Sequence, residues 1–255
     1  MKPVLRSVPA VAALLFGAAF SVASYADDKA VAQAVSNVKS LLQAPYHQDE
    51  TEKDKSRLPV EMTEFLAVEP GMTVMDMGAG SGYSTEVLSA AVGESGKVYA
   101  QNNQHLVDMA GGKIIAQLYS RIENDKLSNV EAVIWEMDEI PLENTLDMVF
   151  WGYNIHDYYH SVGEQGTLEI LASVYKAMKP GAVFAVADHI GVKGQDNAAL
   201  HRIQPVIIED LLKKAGFKQA EVSAMYASAA DTHLLNVFDD RVKGRTDRYL
   251  VKVVK

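Results

Sequence analysis

Residues 74–82 read Val-Met-Asp-Met-Gly-Ala-Gly-Ser-Gly, and no other stretch narrows the fold as much. An apolar run with strand character stops at three alternate glycines, the residue a backbone needs where it turns sharply or meets a ligand with no side chain between. A helix follows at once: Val87, Leu88, Ala91 and Val92 share one face, and Gly93 ends it. The chain then repeats this alternation. Strand-like segments at 97–102, 129–136, 146–154 and 182–190 are interleaved with a helix over 105–122 and another carrying Leu168, Leu171, Val174, Tyr175 and Met178. A helix over 203–215 and strands at 218–227 and 248–254 complete the pattern. Strands that are apolar on both faces and joined through helices imply an α/β fold, a mostly parallel sheet between two helix layers. In such sheets ligands bind beyond the carboxyl ends of the strands, so residues just after each strand are the candidates for function.

Composition removes several classes. With 48% apolar and 22% charged residues the chain is neither disordered nor fibrous. A net charge of −9, from 24 basic and 33 acidic side chains, argues against a nucleic-acid partner, whose phosphates call for Lys and Arg. The absence of cysteine excludes disulfides, thiolate metal sites and a cysteine nucleophile. At the N-terminus, Lys2 and Arg6 precede an apolar, Ala-rich run from Val11 to Phe20, and Ser24-Tyr25-Ala26 supplies small residues for a signal peptidase. The run is shorter than the roughly 20 residues a membrane-spanning helix needs. Residues 1–26 therefore read as a signal peptide cut after Ala26, giving a periplasmic or secreted protein with no stable membrane insertion. Residues 27–70 read as a helical extension, with Val31, Ala34, Val35, Val38, Leu41 and Leu42 on one helix face and Pro59 opening a short second helix. Between them, the mixed charges of 48–57 predict a solvated segment or flap. Residues 71–255 form the main domain.

The glycine spacing discriminates among nucleotide sites. A dinucleotide loop places its third glycine where Tyr83 stands, and no Gly-Lys-Ser/Thr of a Walker loop is present. With Asp76 two residues ahead, the loop resembles that of class I S-adenosylmethionine-dependent methyltransferases. Thr145 to Phe150 and Lys179 to Phe184 are similar to that family's fourth strand and its turn into the fifth. Asp188-His189, His201-Arg202 and Gly244 to Arg248 are similar to an exported bacterial branch of predicted methyltransferases. The resemblance implies a Rossmann-like fold with seven strands, the last antiparallel. It implies S-adenosylmethionine as cofactor, its methionine part and ribose over Asp76, Gly78, Gly80 and Gly82. An acidic residue that holds the ribose in the family is replaced here by Asn102, or by Gln101, and a neutral amide makes a weaker hydrogen bond than a carboxylate. Asp138 is similarly placed to the residue that meets the adenine amino group, and Asn154 follows the fourth strand on the cofactor side.

Histidines gather where the ligand belongs: His156 and His160 follow the fourth strand, and Asp188-His189 end the fifth. Methyl transfer from a sulfonium needs alignment above all, and a base only where the acceptor must lose a proton. His156 is the first candidate for that base, with His189 and Asp188 beside it, since neutral imidazole suits the task near pH 7. Asp157, Asp188, His189 and His201 are an alternative divalent-metal set, although no metal is assigned. The Asn-Pro-Pro-aromatic signature of nucleobase and glutamine methyltransferases is absent. The leading reading is a methyltransferase with a small-molecule acceptor. An exported, non-catalytic nucleoside- or metabolite-binding protein and a His/Asp metal-dependent hydrolase are the alternatives.

Overall fold

The computed structural model describes residues 27–255, so the signal peptide expected over 1–26 lies outside the described residues. Seven strands, β1 (Thr73–Met77), β2 (Lys97–Asn102), β3 (Val130–Ile134), β4 (Leu146–Gly152), β5 (Met178–His189), β6 (Lys218–Ser223) and β7 (Arg248–Val254), form one sheet. Its order is β3-β2-β1-β4-β5-β7-β6. The pairs from β3 to β5 are parallel, and β7 runs antiparallel to both β5 and β6. The order reverses at β1, so the glycine loop and the segment after β4 lie side by side at the crevice where open α/β sheets bind ligands.

The two-residue period of the strands sorts the core into two layers. Met75, Met77, Val149, Trp151, Phe184 and Val186 pack against α7 (Ile155–Ala177) and α8 (Pro205–Lys214). Val74, Met148, Phe150, Ala185 and Leu250 face α1 (Asp28–Leu41), α3 (Pro59–Leu66) and α4 (Tyr83–Val92). Burial on both faces is what near-continuous apolar strands require. Asp76 shares its parity with Val74, so its carboxylate enters the second layer.

Three expectations change. Gly111 and Gly112 take positive φ values of 63° and 80°, splitting the helix expected over 105–122 into α5 (Gln104–Asp108), a 3-10 turn and α6 (Lys113–Asn124). The helix before β5 begins earlier than its apolar stripe suggests, at Ile155, with a break at Gly163. Residues 48–57, expected as a solvated flap, form the end of a 3-10 turn and α2 (Thr51–Arg57). One local and several long-range pairs fold them: buried His47 meets Asp54 at 3.0 Å and Glu86 at 3.3 Å, while Arg121 ties Glu50 to the fully buried Glu86. Burial disfavours a charged His47, but Glu86 and Asp54 more than offset this, and its pKa is raised. Among the described residues no helix is long and apolar enough to cross a membrane.

On the other flank, Arg202 and Asp231 form a two-pronged ion pair at 2.9 and 3.1 Å, with both side chains inaccessible to solvent. Arg202 also donates to the carbonyls of Ile190 and Leu235, and Asp231 accepts from the backbone of His233 and Asp247. This staple holds the connection before β7 against the end of β5. Removing one partner of a buried pair strands a charge, so Arg202→Leu or Asp231→Leu should each lower the unfolding free energy by about 3–5 kcal/mol. The double substitution should recover much of that loss in urea titrations. A double variant as unstable as the sum of the two would show that the ion pair is not what anchors this segment.

Candidate functional site

Gly78, Gly80 and Gly82 all have positive φ, at 65°, 56° and 88°, which explains the alternate spacing. Their surroundings differ. A Cβ on Gly78 would lie 2.3 Å from the Asn154 amide and one on Gly82 2.5 Å from Leu118, whereas one on Gly80 would meet nothing nearer than 4.0 Å. Gly78 and Gly82 are thus packing positions, and Gly80 is the open point of the loop. Side-chain amides hold the loop in place. Gly78 N–H donates to Gln101 Oε1 at 2.9 Å, and Gly80 N–H donates to Asn102 Oδ1 at 2.8 Å. The Asn102 amide returns a bond to the Gly80 carbonyl, and Asn154 donates to the Gly78 carbonyl at 3.2 Å while accepting from the Trp151 indole. Gln101 and Asn102, expected at a ribose, are buried and bound to the loop itself. Asp138 is exposed and lines neither of the cavities that flank the loop.

These cavities lie on either side of the Asn154 bridge. One, of about 150 Å³, is lined by Asp76, Gly78, Tyr83 and Tyr153 together with Lys53 and Arg57 of α2. The Arg57 guanidinium stacks on Tyr153, 3.4 Å from the ring centre. Asp76 is buried and accepts a 2.6 Å bond from the Thr85 hydroxyl. Burial pushes its pKa up to about 7, only partly opposed by the Thr85 hydroxyl and backbone amide and by Arg57. The other cavity, of about 350 Å³, is lined by Leu106, Met109, Asn154, Tyr158, Asp157 and His201, among others.

The histidines converge at the wall of the second cavity. His156 is buried at the start of α7, where its backbone N–H and its Nδ1 both bond the fully buried Asp188 carboxylate, at 3.0 Å and 2.8 Å. Its Nε2 faces Asp157 at 3.2 Å and His201 Nδ1 at 3.4 Å. Burial works against a charge on His156, but Asp188 and Asp157 outweigh it and raise its pKa to about 10. The two carboxylates thus favour the charged imidazole, and both ring nitrogens of His156 face protein partners. Asp188 is fully engaged by His156 and by the backbone of His189, leaving it no role as a base. His189 turns away to Thr246 at 2.8 Å, and burial chiefly lowers its pKa to about 3. Of the metal set read from the sequence, Asp157 and His201 are joined by His156, whereas Asp188 and His189 are not part of the converging group. Lys53 and Arg57 escaped sequence reasoning because nothing in a mixed-charge segment distinguishes a cavity-lining cation from a solvated one.

The chain is similar to known proteins in two ways. The family model of protein-L-isoaspartate(D-aspartate) O-methyltransferase matches residues 54–135. A protein-L-isoaspartate O-methyltransferase of Methanococcoides burtonii is 37% identical over 62 residues, 24% of this chain and 30% of its own length. A demethylmenaquinone methyltransferase of Bacillus mycoides is 30% identical over 125 residues, 48% of this chain and 46% of its own. The chain thus spans less than half the length of these curated relatives. Among solved structures, an S-adenosylmethionine-dependent methyltransferase from Aquifex aeolicus matches with a TM-score of 0.58 and 23% identity, over 86% of this chain and 97% of that one. The match over 86% of this chain shows that its seven-stranded sheet has the fold of an S-adenosylmethionine-dependent methyltransferase, and the family model falls on the segment that carries the glycine loop.

Proposed function

We propose that this chain is an S-adenosylmethionine-dependent methyltransferase with a small-molecule acceptor. The observation that carries the reading is a pair of unlike cavities, one against the glycine loop at Gly78, Ala79 and Ser81 and the other beyond Asn154. One has a carboxylate and two cations on its walls, which fits the ammonium and carboxylate of the cofactor's amino-acid end: Asp76 for the first, Arg57 and Lys53 for the second. The other offers Leu106, Met109 and Tyr158 for an aromatic base. When bound, the cofactor supplies a methyl group on a positively charged sulfur for in-line transfer. The chain's part is to orient: Asn154 bridges the two cavities, and the amides of Gln101 and Asn102 fix the loop. An acidic chain and cavities of modest size favour a small acceptor over nucleic acid.

Export is part of the same proposal, supported by the sequence of residues 1–26 and by the surroundings of Asp27. The Asp27 backbone nitrogen lies 2.8 Å from Glu69 Oε1, so a new terminal ammonium there would meet a carboxylate. N-terminal sequencing of the chain recovered from a periplasmic fraction should begin at Asp27. A chain that retains Met1 and stays in the cytosol would refute export.

Asp76 makes cofactor affinity depend on pH. Its carboxyl is protonated below about 7 in the free protein, and the ammonium-binding form is the ionised one, so affinity should rise with pH. Calorimetric titration with S-adenosylmethionine should show roughly tenfold tighter binding at pH 7 than at pH 5.5, and Asp76→Asn should flatten the dependence. Binding that is indifferent to pH in the wild type would remove Asp76 from the ammonium site.

Asn102→Asp separates two roles for that position. As a ribose ligand a carboxylate would tighten binding, but here it would set an oxygen against the Gly80 carbonyl where the amide now donates at 3.3 Å. Cofactor affinity should fall by about 1–2 kcal/mol, close to tenfold. Tighter binding in the same titration would show that Asn102 faces the ligand instead.

A further inference from the structure

The end of β5, the start of α7 and the turn at His201 bring together more chemistry than methyl transfer from a sulfonium requires. His156 Nε2, Asp157 Oδ1 and His201 Nδ1 form a triangle with sides of 3.2, 3.0 and 3.4 Å. Ligands bonded to zinc at its usual nitrogen and oxygen distances stand about 3.3 Å apart in a tetrahedron. We propose that His156, Asp157 and His201 are the three protein ligands of a divalent first-row transition-metal site at the wall of the second cavity.

Four features support the site. Asp188 holds His156 Nδ1 at 2.8 Å, and a buried carboxylate on the far nitrogen of a ligating imidazole fixes both its tautomer and its aim. The loop that carries His201 is anchored: His160 bonds the Arg202 carbonyl at 2.9 Å, and the Arg202 side chain is pinned by Asp231. His201 itself has a φ of 54°, a backbone state the surrounding fold imposes. The half-exposed carboxylate of Asp157 and the fully buried one of Asp188 bring two negative charges to the imidazoles, which a divalent cation balances. Two imidazoles and one carboxylate select a transition ion over magnesium or calcium.

Three protein ligands leave a coordination position free, and Asp157 and His201 both line the 350 Å³ cavity. Tyr158 belongs to the same lining, and its buried hydroxyl has no hydrogen-bond partner among the described residues. The exchangeable ligand is therefore an oxygen donor small enough for the cavity, a water or the hydroxyl or carboxylate of a substrate. This inference concerns the ion alone and holds whether or not the neighbouring loop binds the cofactor.

The test is titration of the purified, chelator-stripped protein with zinc chloride against a chromophoric competitor, with thermal unfolding as a second readout. The wild type should take up one equivalent and melt at a higher temperature with zinc. His201→Gly, which accepts the positive φ but offers no ligand, and Asp157→Asn should each lose at least a hundredfold in affinity and lose the thermal shift. Asp188→Asn, with all three ligands kept, should lose about 10- to 100-fold. Uptake well below one equivalent by the wild type, or equal uptake by His201→Gly, would reduce the triangle to a hydrogen-bonded cluster and overturn the proposal.

Discussion

The carboxylate of Asp188 is the constraint on which the rest of the site depends. It is fully buried at the end of β5 and accepts the His156 backbone N–H, the His156 ring N–H and its neighbour His189's N–H. A buried carboxylate is tolerated only when its oxygens are satisfied, and here two of its three donors come from His156, the second residue of α7. The exit of β4 into α7 is thereby locked to the end of β5. That lock places Asn154 against the glycine loop, turns His156 Nε2 toward Asp157 and His201 and brings Asp157 opposite His201. Loss of the carboxylate would release all three together.

Similarity to known proteins divides the molecule along the same line. The matched family segment, 54–135, contains the glycine loop, Gln101 and Asn102, whereas His156, Asp157, Asp188 and His201 all lie beyond it. The glycine-loop side of the crevice is the part that is similar to the isoaspartate methyltransferase family. The opposite side carries its own set of imidazoles and carboxylates, which is where an acceptor would be selected.

Much of the fold was legible because the signals that specify it are local. Strand parity in Met75/Met77 against Val74/Asp76 predicts two buried faces, and the parallel order follows from the helices between strands. Gly78, Gly80 and Gly82 announced a positive-φ loop by their spacing alone. The cap was not legible, since α2 is held by His47, Glu50 and Asp54 against Glu86, Arg121 and Tyr83, contacts between residues 29 to 71 positions apart that leave no periodic trace. The site was half legible for a similar reason. Position after a strand points to His156 and Asp188, but only the folded chain shows that Asp188 orients His156, that His189 turns to Thr246, and that Gln101 and Asn102 bond the glycine loop.

The three amides that clasp the glycine loop have a thermodynamic consequence. Gly78 and Gly80 would be the most mobile residues of an unclasped loop, and fixing the backbone of one residue costs roughly 1–2 kcal/mol of conformational entropy. Gln101, Asn102 and Asn154 impose that order when the chain folds, so a ligand arriving at the loop has little left to immobilise. Because the clasp is made of neutral groups, neither salt nor proton concentration loosens it. The recognition surface keeps one shape across conditions that would rearrange a loop held by ion pairs.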